Sequence, residues 1–564
     1  MCGIVGVVGK QYDQSTLRVM TQKSCRELWR RGPDQTNSFI AEGIALGAAR
    51  LAIQDPEKGN QPMSFQGFTI VFNGEIYNKK AIQDRLLSHG HKLHTNCDTE
   101  VLLKAMVKFG DAFLPTIEGM FAFALWDEHS KTLTLARDRW GEKPLYYTVK
   151  DQTLTFSSEV KAFRHWPHID WNIDPEDIVV FLKNSYIPYP KTGWKHIHKL
   201  QPGCCLKYKS SEVKIQRFFT PSFTITKTLP EPQDLFDILQ SSVRKCMTSD
   251  RPVGAFLSGG LDSTSIAYLL SGENQGAPIF SLHWQEASHS EESFTKEVAE
   301  ALKLNHFSIQ CDSDFLKRQF DSIVDLYDEP FGDESMIPTY CLAQFAKERV
   351  DVVLTGDGAD EFFTGYERYF FSGNFDEYLE TFAPSSSLVM EWLGPHKNPF
   401  PMRSHSIDHP RNRSWIDMNA YLTDDILMKV DRACMGMSLE SRCPFLMPAV
   451  TNFALGCPIE SLVGTKQRGK EILRAAMKDH IPKRILERKK MGFGVPLNDW
   501  FRGPLRTWIK QRLLEGDLYA LGLISKEGVI KLLSQNDEEQ GEFARPLFNL
   551  LVLERWIKRW IKKH

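Results

Sequence analysis

Val253-Gly254-Ala255-Phe256-Leu257-Ser258-Gly259-Gly260-Leu261-Asp262-Ser263 decides the fold of half of this chain. The apolar run Val253–Leu257 reads as a buried strand and Ser263–Leu270 as the helix after it. Two glycines between them let the backbone turn sharply, so that successive N–H groups point at one spot beside a helix N-terminus. Such a nest is an anion site, and the Ser258 and Ser263 hydroxyls add donors. Asp262 would repel a phosphate on its own, which points to Mg²⁺ between them. The spacing fits neither a Walker loop nor a dinucleotide fingerprint.

Working outward, the same rhythm continues. Pro278–Leu282 is the next strand, followed by a helix with Phe294, Val298, Ala301 and Leu302 on one face. A strand at His306–Ile309, helices at Phe315–Leu326 and Pro338–Glu348, and a strand at Val350–Leu354 complete an α/β doubly wound parallel sheet. Its ligands are expected at the carboxyl ends of the strands. A second loop stands at such an end: Thr355-Gly356-Asp357-Gly358-Ala359-Asp360-Glu361. Three carboxylates within five residues suit a metal–pyrophosphate site better than a core. From Trp415 onward the pattern is mainly helical, and the last stretch sets Leu553, Trp556, Ile557, Trp560 and Ile561 against Arg555, Lys558, Arg559, Lys562 and Lys563. That amphipathic basic helix reads as docked on the core rather than laid on a membrane surface.

Toward the N-terminus the alternation dissolves at residues 219–233, a Thr- and Pro-rich linker. Residues 2–218 before it are β-rich, with short runs at Phe39–Ile40, Ile44–Leu46, Thr69–Phe72, Phe121–Trp126, Thr132–Ala136, Leu145–Tyr147 and Leu154–Phe156. Helical patterns lie near Ser15–Trp29 and Asp98–Phe109. The leading strand opens Cys2-Gly3-Ile4-Val5. With the initiator Met trimmed, Cys2 carries a thiol and a free α-amine, whose pKa of about 7.7–8.0 lets it take a proton near neutral pH. A terminal residue that is both nucleophile and base is the arrangement of the N-terminal hydrolases.

Bulk properties exclude other classes. Lys and Arg total 69 against 71 Asp and Glu, so nothing in the balance points to nucleic acid. A hydrophobic share of 42% with 25% charged residues is that of a globular protein, and no apolar run reaches the roughly 18 residues of a membrane span. Eleven cysteines, odd in number and irregular in spacing, suit reduced thiols in the cytoplasm. His89, His91, His94 and Cys97 cluster without a standard zinc spacing.

The loop at Ser258–Ser263 resembles the pyrophosphate loop of ATP pyrophosphatases. The whole chain, from Cys2 to about Trp560, resembles the glutamine-hydrolysing asparagine synthetases. The matching pieces of the first half are Cys2-Gly3-Ile4, Arg31-Gly32-Pro33-Asp34, Arg50-Leu51-Ala52-Ile53, Asn73-Gly74-Glu75-Ile76-Tyr77-Asn78, Asp98-Thr99-Glu100 and Gly119–Phe123. Those of the second half are the two loops, Asp328-Glu329-Pro330-Phe331, Lys429-Val430-Asp431-Arg432, Gly469-Lys470-Glu471 and Gly492-Phe493-Gly494-Val495-Pro496.

The resemblance implies an α+β N-terminal nucleophile hydrolase-type glutaminase domain of stacked antiparallel sheets at 2–218. It implies an ATP pyrophosphatase-type synthetase domain at 234–564, with a helical C-terminal part. Cys2 would attack the glutamine side-chain amide, with Asn73 and Gly74 as oxyanion hole; Arg50, Leu51, Ile53, Glu75 and Asp98 would complete the glutamine site. Leu257, Ser258, Gly259, Gly260, Asp262, Ser263, Leu282, Thr355, Gly356 and Lys470 would hold ATP. Asp262 and Asp360 would bind Mg²⁺, and Asp357 and Glu361 the acceptor, with a catalytic part for Asp357. The implied reaction releases ammonia from glutamine, adenylylates the aspartate side chain with ATP, and forms asparagine, AMP and pyrophosphate. Family members often dimerise, so a homodimer fits the resemblance.

Five positions depart from the family pattern. Arg30 stands where a histidine is usual, Ala48 and Ala49 precede Arg50, His283 replaces a glycine, and Met447 follows Pro444-Phe445-Leu446 in place of an aspartate. Together they leave open another carboxylate acceptor, such as a sugar acid of a surface polysaccharide. A plain glutaminase with a nucleotide-sensing second half is the alternative from another class, and the intact acidic loops and Lys470 argue against it.

Overall fold

The computed structural model describes residues 1–225, 229–286, 290–370, 410–464, 468–489, 492, 494–538 and 543–561. Phe493, Lys562 and Lys563, singled out above, lie outside them.

Two six-stranded antiparallel sheets build the first half. In spatial order the first runs His198–Lys199, Tyr146–Lys150, Thr153–Ser157, Cys2–Val8, Ile44–Arg50, Gln35–Ala41. The second runs Glu212–Arg217, Cys204–Lys209, Thr132–Arg137, Gly119–Asp127, Phe68–Ile76, Met63–Phe65. Ile4, Leu46 and Ala48 from one sheet meet Val71, Ala122, Ala124 and Leu135 from the other in a shared apolar layer. The outer face of the second sheet is covered by helices Lys79–Ser88 and Asp98–Phe109, through Leu86, Val101, Leu102 and Ala105 against Phe72, Phe121 and Phe123. Helix Gln14–Glu27 covers the first sheet, setting Leu17 on Val7 and Ala45. Covered on both faces, strand Cys2–Val8 is apolar at consecutive positions rather than alternating.

Helix Asp98–Phe109 has the residues expected for it, while Lys79–Ser88 and Pro175–Asn184 are helices that the apolar pattern did not single out. Pro232 and Gln233, inside the expected linker, already belong to helix Pro232–Cys246, where proline is tolerated in the first turn.

The second half is built on a five-stranded sheet, parallel throughout. Its order is Asn305–Cys311, Pro278–Trp284, Val253–Phe256, Val352–Leu354, Glu440–Arg442. Chain progression reverses direction between Val253–Phe256 and Val352–Leu354, the topological switch point where such sheets open a crevice. The two loops read from sequence leave these two neighbouring strands. No helix among the described residues is long and apolar enough to cross a membrane. The C-terminal helix Ala544–Trp560 is docked: Leu553, Trp556, Ile557 and Trp560 are buried, and Arg555 and Arg559 pair with Asp325.

Candidate active sites

The first site lies where the two antiparallel sheets meet. Cys2 sits opposite Arg50 in the ladder, and its backbone N–H donates to Asn73 Oδ1 at 3.0 Å. The Asn73 side-chain nitrogen is buried with no protein acceptor. A donor in that state carries a desolvation cost that a ligand oxygen would relieve. Gly74 packs so closely on the next strand that a Cβ there would stand 2.1 Å from Met120 O. Gln61 Nε2 lies 3.6 Å from Cys2 Sγ and donates to Thr99 Oγ1 at 3.3 Å, while its oxygen accepts from Phe72 N at 2.6 Å. Burial pushes the Cys2 thiol above its ordinary value, against the opposing pull of the terminal ammonium and Arg50, so the resting sulfur is protonated.

Around the thiol the cleft is lined by Arg50, Leu51, Ile53, Gly74, Glu75 and Asp98, all read from sequence as site residues, by Thr99 of the Asp98-Thr99-Glu100 piece, and by Gln54 and Gln61, which were not. Arg50 serves the carbonyls of Gln54 at 3.0 Å, Asp55 at 2.8 Å and Pro56 at 3.0 Å, bracing the loop that forms the cleft's rim. Glu75 accepts from Gln54 Nε2, and its other oxygen lies 3.2 Å from Arg442. Burial raises the Glu75 and Asp98 carboxyls above their usual range. Asp34 of the Arg-Gly-Pro-Asp piece accepts from Ala52 N at 2.7 Å and so fixes the turn carrying Leu51 and Ile53.

The second site fills the switch-point crevice, a cavity of about 340 Å³. Leu257, Ser258, Asp262 and Ser263 line one wall, and Thr355, Gly356, Asp357, Asp360 and Glu361 the other. Gly259 and Gly358 take left-handed φ values of +70° and +90°, which glycine adopts at no steric cost. The loops touch: a Cβ on Gly356 would stand 3.0 Å from Asp262 Cβ. Lys470, itself left-handed at φ +59°, puts its ammonium 2.6 Å from Asp262 Oδ2 and 2.6 Å from Asp360 Oδ1. The other Asp262 oxygen is buried without a protein partner. Gly259, Gly260, Leu282 and Lys470, also read from sequence, are not among the residues that line the cavity. Burial, with Asp360 alongside, pushes the Glu361 carboxyl up to about 7.

Hard carboxylate oxygens around a lysine ammonium are the donor set that a magnesium–phosphate group uses. Among the described residues no three metal-ligating side chains gather anywhere, so Asp262 and Asp360 would need phosphate oxygens and waters to complete a shell. The His89, His91, His94 and Cys97 group is dispersed: His89 Nδ1 faces Arg85 O, while Cys97 Sγ is 3.0 Å from Thr95 Oγ1.

The profile named Asparagine synthase matches residues 234–558, and that named Glutamine amidotransferase domain matches residues 1–219. The chain belongs to the asparagine synthase family. It is thereby a carbon–nitrogen ligase with glutamine as amide donor. Asparagine synthetase [glutamine-hydrolyzing] 1 of Bacillus subtilis is 29% identical, covering 100% of this chain and 97% of its own. A putative asparagine synthetase [glutamine-hydrolyzing] of Mycobacterium tuberculosis is 30% identical over 93% of this chain and 91% of its own. Amidase chyE of Penicillium rubens is 26% identical over 95% and 96%.

In this family setting the shared pieces without an assigned role acquire a place. Arg31 pairs with Asp431 through both terminal nitrogens, at 2.7 and 3.1 Å, and with Glu159 at 3.0 Å. Arg432 reaches Glu159 at 2.8 Å, and Lys143 reaches Asp431 at 3.3 Å. Nearby, Tyr146 donates to Glu329 at 2.6 Å, and Lys199 pairs with Glu329 at 2.8 Å and Asp424 at 3.4 Å. All are buried, and they join the antiparallel half to the parallel half. Two departures stay clear of the chemistry: His283 and Met447 line neither cavity, and Met447 packs in the apolar cluster with Leu446 and Val450.

Proposed function

We propose that the protein is a glutamine-dependent asparagine synthetase, with a glutaminase unit at 2–218 and a synthetase unit at 234–564 joined by the 219–233 linker. In the first unit the Cys2 thiol, deprotonated by its own α-amine once Met1 is trimmed, attacks the glutamine amide. Asn73 Nδ2 and the Gly74 N–H stabilise the oxyanion, since fixed donors act where charge develops. Arg50 and Asp98 with Glu75 take the α-carboxylate and α-ammonium of glutamine. Ammonia leaves and Cys2 keeps the acyl group as a thioester until water hydrolyses it.

In the second unit Ser258–Ser263, Thr355 and Gly356 cradle ATP, with Leu257 and Leu282 toward the base. Asp262 and Asp360 would hold Mg²⁺, whose charge would neutralise the departing pyrophosphate. Lys470 turns from these carboxylates to the phosphates. The aspartate side-chain oxygen attacks the α-phosphorus, pyrophosphate leaves, and ammonia displaces AMP from the acyl adenylate. Asp357 and Glu361 take the acceptor's α-ammonium, a contact that a uronic acid lacks. What carries this reading is the Lys470 ammonium seated between Asp262 and Asp360 at the switch point, an arrangement that a glutaminase alone has no use for.

The test incubates purified protein with ATP, Mg²⁺, glutamine and aspartate, and measures asparagine and AMP together. Equal amounts of both are expected. Glutamine hydrolysis without asparagine would move the acceptor to another carboxylate.

A further inference from the structure

Gln61 is fixed from three sides beside the thiol. It stands in the loop between strands Ile44–Arg50 and Met63–Phe65, and Gln61, Thr99 and Cys2 are each 4% exposed or less. Its Oε1 accepts from Phe72 N at 2.6 Å. A backbone N–H can only donate, so this contact decides which end of the amide is oxygen and turns Nε2 toward the cleft. Nε2 carries two hydrogens, and two acceptors stand there: Cys2 Sγ at 3.6 Å and Thr99 Oγ1 at 3.3 Å.

Asn73 is the opposite case. Its oxygen is held by the Cys2 N–H and its nitrogen is left over, as a group meant for substrate would be. In Gln61 the oxygen and both amide hydrogens are met by protein, and the recipient on the cleft side is the sulfur itself. Hydrogen bonds to an ionised acceptor are shorter and about twice as strong as neutral ones, so this contact tightens when the thiol loses its proton. In a cleft where burial holds the thiol protonated, each such donor raises the thiolate fraction.

The structure assigns Gln61 as a second catalytic group of the glutaminase site, a fixed donor to the Cys2 sulfur that stabilises the thiolate and sets its line of attack. The assignment rests on the reading of Cys2 as nucleophile and adds to it a residue outside the oxyanion hole and the glutamine-binding set. In the step itself the thiol proton goes to the α-amine, the sulfur–carbon bond forms, the carbon–nitrogen bond breaks, and the proton leaves with the ammonia. Gln61 keeps both its protons throughout. A bond to a charged acceptor shifts the thiol–thiolate balance by about ten- to a hundredfold. A stabilised thiolate is also a weaker nucleophile, which returns about half of that on a logarithmic scale and leaves about three- to tenfold in rate.

The experiment uses Met1-trimmed protein, checked by mass. Gln61→Met fills the same space without donors. It should lower glutaminase kcat about three- to tenfold and slow iodoacetamide alkylation of the Cys2 peptide by a like factor. KM for glutamine should stay within about twofold, because Gln61 has no hydrogen to spare for substrate, and synthesis from added ammonia should be unchanged. Gln61→Glu decides the matter, assayed at alkaline pH where its carboxyl is ionised. It keeps the shape and the acceptor for Phe72 N but presents oxygen to the sulfur. A donor role makes it slower than Gln61→Met, whereas a brace for Phe72 alone makes it faster. Gln61→Glu at or above the rate of Gln61→Met, or a loss confined to KM, overturns the assignment; an inactive Cys2→Ala then leaves the nucleophile reading standing. If Gln61→Met does not fold, Gln61→Glu is compared with wild type, and an unchanged kcat overturns the assignment. Glutamine hydrolysis that survives Cys2→Ala overturns both.

Discussion

Asn73 faces two ways, its oxygen on the Cys2 backbone and its nitrogen toward a partner that the protein does not supply. Asn73→Ala should therefore lower glutaminase kcat by about 10²–10³, the usual effect of losing one oxyanion donor. Cys2→Ala should abolish glutamine-dependent synthesis and spare synthesis from added ammonia; loss of both in a folded variant would refute the division of labour. Glu361 gives a residue-level pH signature. With its carboxyl raised to about 7 by burial and Asp360, the folded chain holds a proton that the unfolded chain has released. Its contribution to stability is thus neutral below the ordinary carboxylate range and becomes unfavourable as pH rises toward 7. The stability difference between wild type and Glu361→Gln should grow in the variant's favour over that window, read from denaturation midpoints of ligand-free protein. A flat difference would mean that Glu361 is ionised throughout.

Between elements, the synthetase site depends on how closely its loops approach. A Cβ on Gly365 would fall 2.0 Å from Asp360 Oδ1 and 2.2 Å from Lys470 Cε. Gly365→Ala should cut pyrophosphate release at least about tenfold, as should Asp262→Asn, with glutamine hydrolysis retained in both. Wild-type rates in Asp262→Asn would show that the metal is held elsewhere. The loops were legible because glycines, serines and carboxylates at strand ends have few other physical uses. Arg31, Glu329 and Asp431 were legible as shared pieces but not in role, since an ion pair between residues 400 apart leaves no periodicity in the chain. Gln54 and Gln61 were missed for the same reason, each being an ordinary polar residue until the fold brings it to a cleft. The three-residue strand Glu440–Arg442 is polar and short, so it gave no strand pattern although it closes the sheet.

Across the whole molecule, the buried charges at the junction make the two halves interdependent. Removing one member strands its partners without water, which typically costs about 3–5 kcal/mol. Asp431→Ala should lose stability on that scale in urea unfolding, and a change below about 1 kcal/mol would show that water reaches the junction. The position of Met1 bears on how the enzyme is made. Met1 is buried with Leu51, Ile53 and Met120 of the first half against Val352 and Met435 of the second, its ammonium 2.7 Å from Glu440. The proposed nucleophile needs that methionine gone, yet the finished molecule shields it from an aminopeptidase. Trimming must then precede the packing of Met1 against the second half, and the translation of the chain from the first strand to residue 440 provides one interval for it. At about 5–20 residues per second that interval is on the order of half a minute to a minute and a half. Chains that miss it should fold with methionine in place and resist later trimming. Mass spectrometry after aminopeptidase treatment, with and without a partial unfolding step, reads that out: activation should come only in the unfolded arm.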